Sequence, residues 1–116
     1  MAAPKVESYR FGHMVVDGEE HTNDLILLSN RIVSNWWRQQ GHSLSVQDLH
    51  AVFDAEPDVL VVGTGAHGAM NVPSETRNAI RDAGIDLEIA KTSDAWCRYN
   101  ELQGSRKAAG AFHLTC

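Results

Sequence analysis

The chain has 116 residues, of which 43% are hydrophobic and 22% are charged, a composition typical of one globular domain with a single core. Asp and Glu outnumber Lys and Arg by 15 to 10, the formal net charge is -5, and no basic run is longer than Arg106-Lys107. Nucleic acids and anionic membrane surfaces are therefore disfavoured as partners, because both are bound through clustered cations.

The first forty residues predict an antiparallel β-meander that follows a loose N-terminal arm at residues 1–8. Asp17-Gly18 supplies the two positive-φ positions of a type I′ turn, so the strands on either side of it should form a hairpin. The next two runs are apolar or rich in β-branched and aromatic residues, as strands are. The four strands are predicted at residues 11–16, 19–22, 24–29 and 31–37.

The rest of the chain predicts a β-α-β-α-β unit that follows a short helix. Residues 58–62 place three valines and a leucine in a row, a pattern typical of a strand buried on both faces, and we expect this to be the central strand. Short right-handed crossovers then make the strands parallel. The helices are expected to open at Ser45, Ser74 and Thr92, and the later strands to cover residues 85–90 and 109–114.

These elements predict a mixed α+β fold in the α/β class. The N-terminal antiparallel meander packs with the C-terminal parallel unit to form one layered domain, residues 1–116.

A glycine-rich loop follows the valine-rich strand and reads Gly63-Thr64-Gly65-Ala-His67-Gly. A dinucleotide site is disfavoured, because Pro73 prevents a helix from beginning inside the motif as the dinucleotide fingerprint requires. Two alternatives remain. Gly63 and Gly65 allow close backbone packing, or Gly63, Thr64, Gly65 and His67 line a pocket for a small molecule or anion.

Trp36, Trp37 and Arg38 are a second candidate site. In a strand, successive side chains point to opposite faces, so one indole should seal the core, and the other should either cover the facing layer or be exposed for a partner. Both core packing and a protein-interaction patch are open for this cluster.

Metal binding, catalysis and cofactor binding have no clear sequence signal. The six histidines are scattered without the spacing of a metal-binding motif, although His113 and Cys116 lie three residues apart. There is no Ser-His-Asp order, no paired carboxylate site and no P-loop lysine. We therefore predict no catalytic residue, no metal and no cofactor.

The compartment is predicted from what the chain lacks. No stretch has the roughly 18 apolar residues that a membrane helix needs, so no membrane insertion is expected. Cys97 and Cys116 are too few for a disulfide framework, which favours a reducing compartment. We expect a cytoplasmic protein that is a monomer or a weak homo-oligomer.

Several segments together resemble a known family. They are Asn35 to Arg38 with Gly41-His42, the strand and loop from Asp58 to Gly65, the Val72-Pro73-Ser74 and Gly84-Ile85-Asp86 segments, Thr92, Ala95 and Tyr99-Asn100, and the ending Phe112-His113-Leu-Thr-Cys116. The chain resembles the small single-domain family that includes the mitochondrial complex I assembly factor 3 and the adipogenesis-associated protein of the same domain. The resemblance implies a layered fold of β-strands and helices, no established enzymatic activity, and a role exerted through protein contacts.

Our leading hypothesis from the sequence is a non-enzymatic protein-interaction or assembly factor with protein partners. The alternative is a small-molecule or anion-binding protein, or an unrecognised enzyme, that uses the Gly63-Thr64-Gly65 loop.

Overall fold

The computed structural model of the protein describes residues 3–116. It contains two sheets and three α-helices. The strands are β1 (Val6–Arg10), β2 (His13–Val16), β3 (Glu19–His21), β4 (Leu25–Leu28), β5 (Arg31–Val33), β6 (Val59–Thr64), β7 (Asp86–Ala90) and β8 (Ala108–His113). The helices are α1 (His50–Ala55), which follows a short 3₁₀ turn, α2 (Ser74–Asp82) and α3 (Thr92–Gln103).

A five-stranded mixed sheet with the order β5-β4-β8-β6-β7 forms the middle of the domain. Strand β6 is parallel to both β7 and β8, whereas β4 is antiparallel to β8 and to β5. The other three strands form a small antiparallel sheet with the order β1-β2-β3. The predicted mixed α+β fold, with an antiparallel part and a β-α-β-α-β unit, is therefore confirmed.

Two apolar layers cover the two faces of the five-stranded sheet, because side chains alternate along each strand. Leu60 and Val62 face the layer beneath α1 and α2, and Val59 and Val61 face the layer beneath α3. Every residue of β6 is buried. The prediction that this strand is buried on both faces is confirmed.

The position of that strand was predicted wrongly in one respect. The central strand of the five is β8, and β6 lies second from the edge. Sequence order alone does not show that β4 pairs with the last strand rather than with the hairpin before it, which is what moves β8 to the middle.

The predicted meander divides into two sheets. The Asp17-Gly18 turn has φ values of 49° and 83°, as expected for a type I′ turn, and it joins β2 to β3. Strand β4, however, leaves this hairpin and joins the five-stranded sheet. Because all four residues of β4 are buried, it needs a covered layer on both faces, which the hairpin does not provide.

The loose arm predicted at residues 1–8 was wrong for the part that the structure describes. Val6 begins β1 and is buried, and its backbone N–H and C=O both bond the side-chain amide of Asn100, at 3.0 and 2.7 Å. The Tyr99 hydroxyl donates to the backbone oxygen of Pro4 at 2.7 Å. Residues 1 and 2 of that arm lie outside the described residues.

All three helix starts differ from prediction. The first helix was expected to open at Ser45, but the 3₁₀ turn spans Gln47–Leu49, α1 begins only at His50, and the Ser45 hydroxyl forms no hydrogen bond within residues 3–116. Pro73 and Lys91 occupy the N-cap positions of α2 and α3, where Ser74 and Thr92 were expected to act as caps. The Thr92 hydroxyl instead donates to the backbone oxygen of His113 at 2.6 Å and accepts from the Gly65 N–H at 2.9 Å. It connects the start of α3 to two strand ends.

Candidate functional site

An open cleft lies where the loop after β5 crosses the end of the five-stranded sheet. We call it the Trp37 cleft, and its volume is about 330 Å³. It is lined by Thr22, Asn23, Asp24, Asn35, Trp36, Trp37, Arg38, Gly41 and Thr115. The cleft thus contains all three residues of the predicted Trp36-Trp37-Arg38 cluster.

The two tryptophans have opposite environments. Trp36 is 8% exposed, and its indole N–H donates to the backbone oxygen of Asp48 at 2.9 Å. Trp37 is 85% exposed. One indole therefore packs into the core, as expected. Of the two alternatives for the other, the structure shows exposure and not cover of a facing layer, and neither residue lies on a strand.

The strand predicted to reach Trp37 ends at Val33 instead. Asn35 has a φ of 52°, a left-handed conformation that asparagine tolerates better than most residues. The chain turns there, and the Trp36 N–H donates to the backbone oxygen of Asp24 at 2.8 Å. This bend, rather than strand alternation, separates the two indoles.

Arg38 connects the loop to neighbouring parts of the chain. Its guanidinium forms an ion pair with Asp24 at 2.7 Å and donates from Nη2 to the backbone oxygen of Gly41 at 2.8 Å. Its Cζ also lies 5.0 Å from the centre of the Trp36 ring, within range of a cation–π contact. Arg38 therefore holds the chain on the C-terminal side of Trp37 through Asp24 and Gly41, and it also contacts Trp36 on the N-terminal side.

Asp24 bonds the other members of this cluster. Its carboxylate accepts from His113 Nδ1 at 2.8 Å, from the Leu114 backbone N–H at 2.8 Å, and from Arg38. Burial alone would raise the pKa of Asp24, but the hydrogen bonds from His113, Leu114 and Arg38 together lower that pKa below its usual value. The carboxylate is thus held in its charged form.

The hydrogen bonds also assign the proton on His113. A carboxylate can only accept, so Nδ1 carries the proton that it donates to Asp24. Arg38 Nη2, 3.0 Å from Nδ1, has its own acceptor in the Gly41 oxygen. His113 Nε2 is buried and has no hydrogen-bond partner among residues 3–116, and the His42 ring lies 5.9 Å from the His113 ring.

Asp24, Arg38 and His113 therefore form a largely buried, hydrogen-bonded group that links the loop to the ends of β4 and β8. The covered Nε2 does not reach the Trp37 cleft, so this histidine is not placed to exchange protons with a molecule bound there. What the arrangement offers chemically is an exposed indole, on a loop held at its neighbouring residues, beside a cleft that is lined by a paired carboxylate and guanidinium.

The glycine loop packs against the end of the chain. A Cβ added at Gly65 would lie 2.4 Å from the backbone carbon of Cys116, and one at Gly63 would lie 2.8 Å from both Phe112 and Thr92. These distances are shorter than van der Waals contact, so both positions need glycine. The close-packing alternative therefore accounts for Gly63 and Gly65.

The backbone donors of this loop are directed at the protein itself. The Ala66 N–H donates to the Thr115 oxygen at 2.6 Å, and the Ala69 N–H donates to the Cys116 oxygen at 2.9 Å. The Gly65 N–H already bonds Thr92. A site made of these amides is thus filled by neighbouring chain.

The four predicted pocket residues do not line one common cavity. His67 is exposed, and its ring lies 6.2 Å from that of Phe11. Thr64 lines a second cavity, of about 370 Å³, on the other side of the loop. We call this cavity the Arg77 pocket, and it is lined by Thr64, Gly68, Ala69, Met70, Asn71, Val72, Arg77 and Ile89.

The structure adds two negative observations. Among residues 3–116, no three His, Cys, Asp or Glu side chains are placed to hold one metal ion. In the same part of the chain, no helix is both long enough and apolar enough to cross a membrane.

Sequence reasoning missed Asp24 and did not connect it with His113. The two residues are 89 positions apart, and they meet because β4 runs antiparallel to β8, with Leu25 opposite Phe112. The only sequence signal was indirect, since Asp24 and His113 each flank or end a buried strand.

Comparison with known proteins reveals relatives of the same size and fold. A conserved hypothetical protein of Pyrococcus horikoshii is 28% identical, with a TM-score of 0.82, and the match covers 97% of this chain and 99% of that one. A protein of Bordetella parapertussis is 24% identical, with a TM-score of 0.84 and 98% of both chains covered.

A protein of Bordetella pertussis described as an Mth938-like domain is 19% identical, with a TM-score of 0.77 and with 96% of this chain and 85% of that chain covered. A family model described as "Protein of unknown function (DUF498/DUF598)" matches residues 6–113. The match extends over nearly the whole chain, and the protein therefore belongs to the DUF498/DUF598 family.

Proposed function

We propose that this protein is a non-enzymatic protein-interaction or assembly factor of the cytoplasm, and that it binds its partner at the Trp37 cleft. The observation that carries the proposal is the 85% exposure of Trp37 between two anchored neighbours, Trp36 and Arg38.

An exposed indole is costly to leave in water, and tryptophan is the residue type most enriched at the energetic centres of protein interfaces. A side chain on a fixed loop also loses less conformational entropy on binding than one on a mobile loop. The bonds from Arg38 to Asp24 and to the Gly41 backbone hold the loop in this way. Trp37 therefore has the features of a preorganised anchor.

The rest of the lining suggests the chemistry of the partner. Asp24 and Arg38 neutralise each other, and the rim presents the amides of Asn23 and Asn35 and the hydroxyl of Thr115. Such a surface suits an uncharged segment that contributes an apolar side chain and backbone hydrogen bonds. The sequence resemblance to mitochondrial assembly factors supports the same class of function.

The proposal is tested by affinity purification from a native lysate, comparing the wild type with Trp37→Ser. The control is Phe11→Ser, which changes another exposed aromatic residue, 53% exposed and outside the cleft. We expect a partner that the wild type and Phe11→Ser retain and that Trp37→Ser loses. With the purified partner, the Kd should rise at least about tenfold for Trp37→Ser.

Two results would contradict the proposal. One is a wild-type protein that is repeatedly recovered alone, and the other is a partner that the Trp37→Ser variant binds with unchanged affinity. A loss of thermal stability in Trp37→Ser is not expected, since a substitution at so exposed a site changes the unfolding free energy by about 0.5 kcal/mol or less.

A second candidate function, small-molecule binding, is favoured by one observation. The Arg77 pocket has a volume of about 370 Å³, within the range of ligand sites, and lies at the carboxyl ends of β6 and β7. A thermal-shift screen with nucleotides, phosphates, carboxylates and divalent metals tests it. A ligand at one hundred times its Kd adds about 2.7 kcal/mol to stability, and a flat screen would eliminate this candidate.

A further inference from the structure

The Arg77 pocket has a definite chemical character. It is an open depression lined by loop residues 68–72, by Arg77 of α2 and by Ile89 of the edge strand β7, next to Thr64 at the end of β6. It shares no lining residue with the Trp37 cleft. The two sites therefore do not overlap.

The pocket is positively charged in a chain with a net charge of -5. Arg77 is its one charged lining residue, and no carboxylate lines it. The stem of Lys91 passes beside Gly68, because a Cβ at that glycine would lie 3.5 Å from Lys91 Cγ and 3.6 Å from Cε. A second cation is thus close to the pocket wall.

Arg77 is also free to bind. Within residues 3–116 it forms no ion pair, and its side-chain contact is one long hydrogen bond to the Ser74 hydroxyl, 3.4 Å. Arg38, Arg98 and Arg106, by contrast, each have a carboxylate within 2.8 Å. A guanidinium without a partner at the edge of a cavity is suited to accept an external carboxylate through two parallel hydrogen bonds.

Ile89 supplies an exposed apolar side chain to a lining that is otherwise mostly polar. Ile89 is one of three large apolar side chains that are clearly exposed in the described chain, at 42%, and it faces into this pocket. Asn71 adds an amide to the lining. A ligand that contacts both Arg77 and Ile89 therefore has an anionic group and a small apolar group.

We propose that the Arg77 pocket binds a small organic carboxylate, with the carboxylate on the Arg77 guanidinium and the apolar part against Ile89. This inference rests on the second candidate function and names its ligand class. It is a binding proposal alone, because the lining contains no acid, base or thiol that could carry out a reaction.

The test uses benzoate as the probe and follows backbone amide shifts of the full chain by NMR. Benzamide has nearly the same shape without the charge, and acetate has the charge without the ring. We expect benzoate to shift the amides of Gly68, Asn71 and Arg77 with saturation, and benzamide and acetate to bind at least about tenfold more weakly.

Two matched variants locate the charge. Arg77→Gln should weaken benzoate at least about tenfold, since hydrogen bonds to charged groups are the stronger class. Arg81→Gln is the control, because Arg81 lies one turn later on the same helix and is 73% exposed beside Asp82. Arg81→Gln should leave the benzoate affinity unchanged.

A third variant tests the apolar contact. Ile89→Thr should weaken benzoate binding by about threefold and leave acetate binding unaffected.

The possible failures are distinguishable. If benzamide shifts the same amides as strongly as benzoate, or if Arg77→Gln binds benzoate with full affinity, the carboxylate assignment is overturned while small-molecule binding stands. If none of the three probes shifts these amides, the carboxylate assignment is overturned, and the wider ligand screen then decides the second candidate function by itself.

Discussion

At the scale of the single residue, Gly65 is the most constrained position of the glycine loop. Its φ of 105° is unfavourable for any side chain, and an added Cβ would collide with the backbone of Cys116. We expect Gly65→Val to lower the unfolding free energy by about 2 to 4 kcal/mol, from backbone strain and overpacking together.

Urea denaturation measures this loss, and Gly41→Ala is its control. Gly41 is exposed and a Cβ there would meet nothing within 4 Å, so the change should be within about 0.5 kcal/mol. A Gly65→Val protein as stable as the wild type would show that the loop does not need its close approach to the chain end.

Asp24 makes a prediction about pH. Its pKa is lowered in the folded protein, so the folded state binds fewer protons than the unfolded state when the carboxylate titrates. The stability that Asp24 contributes is therefore fully present above its unfolded pKa of about 3.9 and is lost as the pH falls through the folded value.

Asp24→Asn should lower the unfolding free energy by about 3 kcal/mol at pH 7, because it leaves the buried Arg38 guanidinium without its counterion. The difference from the wild type should shrink as the pH falls from 5 to 2, as measured by urea denaturation at each pH. Asp54→Asn, which changes an exposed carboxylate, serves as the control. A difference that does not depend on pH would contradict this role for the Asp24 charge.

At the scale of the secondary-structure element, Thr92 connects α3 to the ends of β6 and β8 through a hydroxyl with two buried partners. Thr92→Val keeps the shape but leaves the Gly65 N–H and the His113 oxygen without a partner. We expect a loss of about 2 to 4 kcal/mol in unfolding free energy, since each orphaned buried group costs about 1 to 3 kcal/mol.

Chemical denaturation compares this variant with Ser93→Ala, its exposed neighbour on the same helix. If Thr92→Val lost no more than Ser93→Ala, Thr92 would be a dispensable helix residue instead of a connection between strand ends.

The elements that were predicted well are those whose structure is determined by residues close together in the sequence. The Asp17-Gly18 turn and the run of valines in β6 depend on neighbours in the sequence, and both were found close to their predicted positions. The end of β5 was missed, because a single left-handed residue, Asn35, overrides the β-preference of Trp36 and Trp37. When a strand end is predicted from sequence, a turn-forming asparagine should therefore count for more than the aromatic residues that follow it.

The residues of the candidate sites could be predicted from sequence only where they are adjacent in the chain. Trp36, Trp37 and Arg38 are adjacent in the chain and could be recognised together, whereas Asp24 and His113 meet through the pairing of β4 with β8. Arg77 was also missed, since nothing in its helical sequence indicates that the cavity behind Thr64 opens beside it. Long-range pairing, not local pattern, determines these neighbours.

At the scale of the whole molecule, the small sheet is attached to the five-stranded core through α3. The side-chain amide of Asn100 acts as an additional strand partner for Val6, and residues of β1 and β2 share an apolar cluster with Tyr99. This attachment explains why the predicted loose arm is instead ordered from Val6 onward.

Asn100→Ala should lower the unfolding free energy by about 1 to 3 kcal/mol and accelerate hydrogen exchange at the Val6 amide. The control is Asn78→Ala, an exposed asparagine on α2. Unchanged exchange at Val6 in Asn100→Ala would mean that β1 is held by its pairing with β2 alone.

The contrast between Trp36 and Trp37 has an optical consequence. In a Trp96→Phe variant, which removes the third and half-buried indole of the chain, the exposed indole should fluoresce at long wavelength and be quenched by iodide. The indole bonded to Asp48 should fluoresce at shorter wavelength and be protected. A molecule that covers the cleft would remove water from Trp37 and shift its emission toward the blue. The protein thus contains its own spectroscopic probe of occupancy, which needs no label.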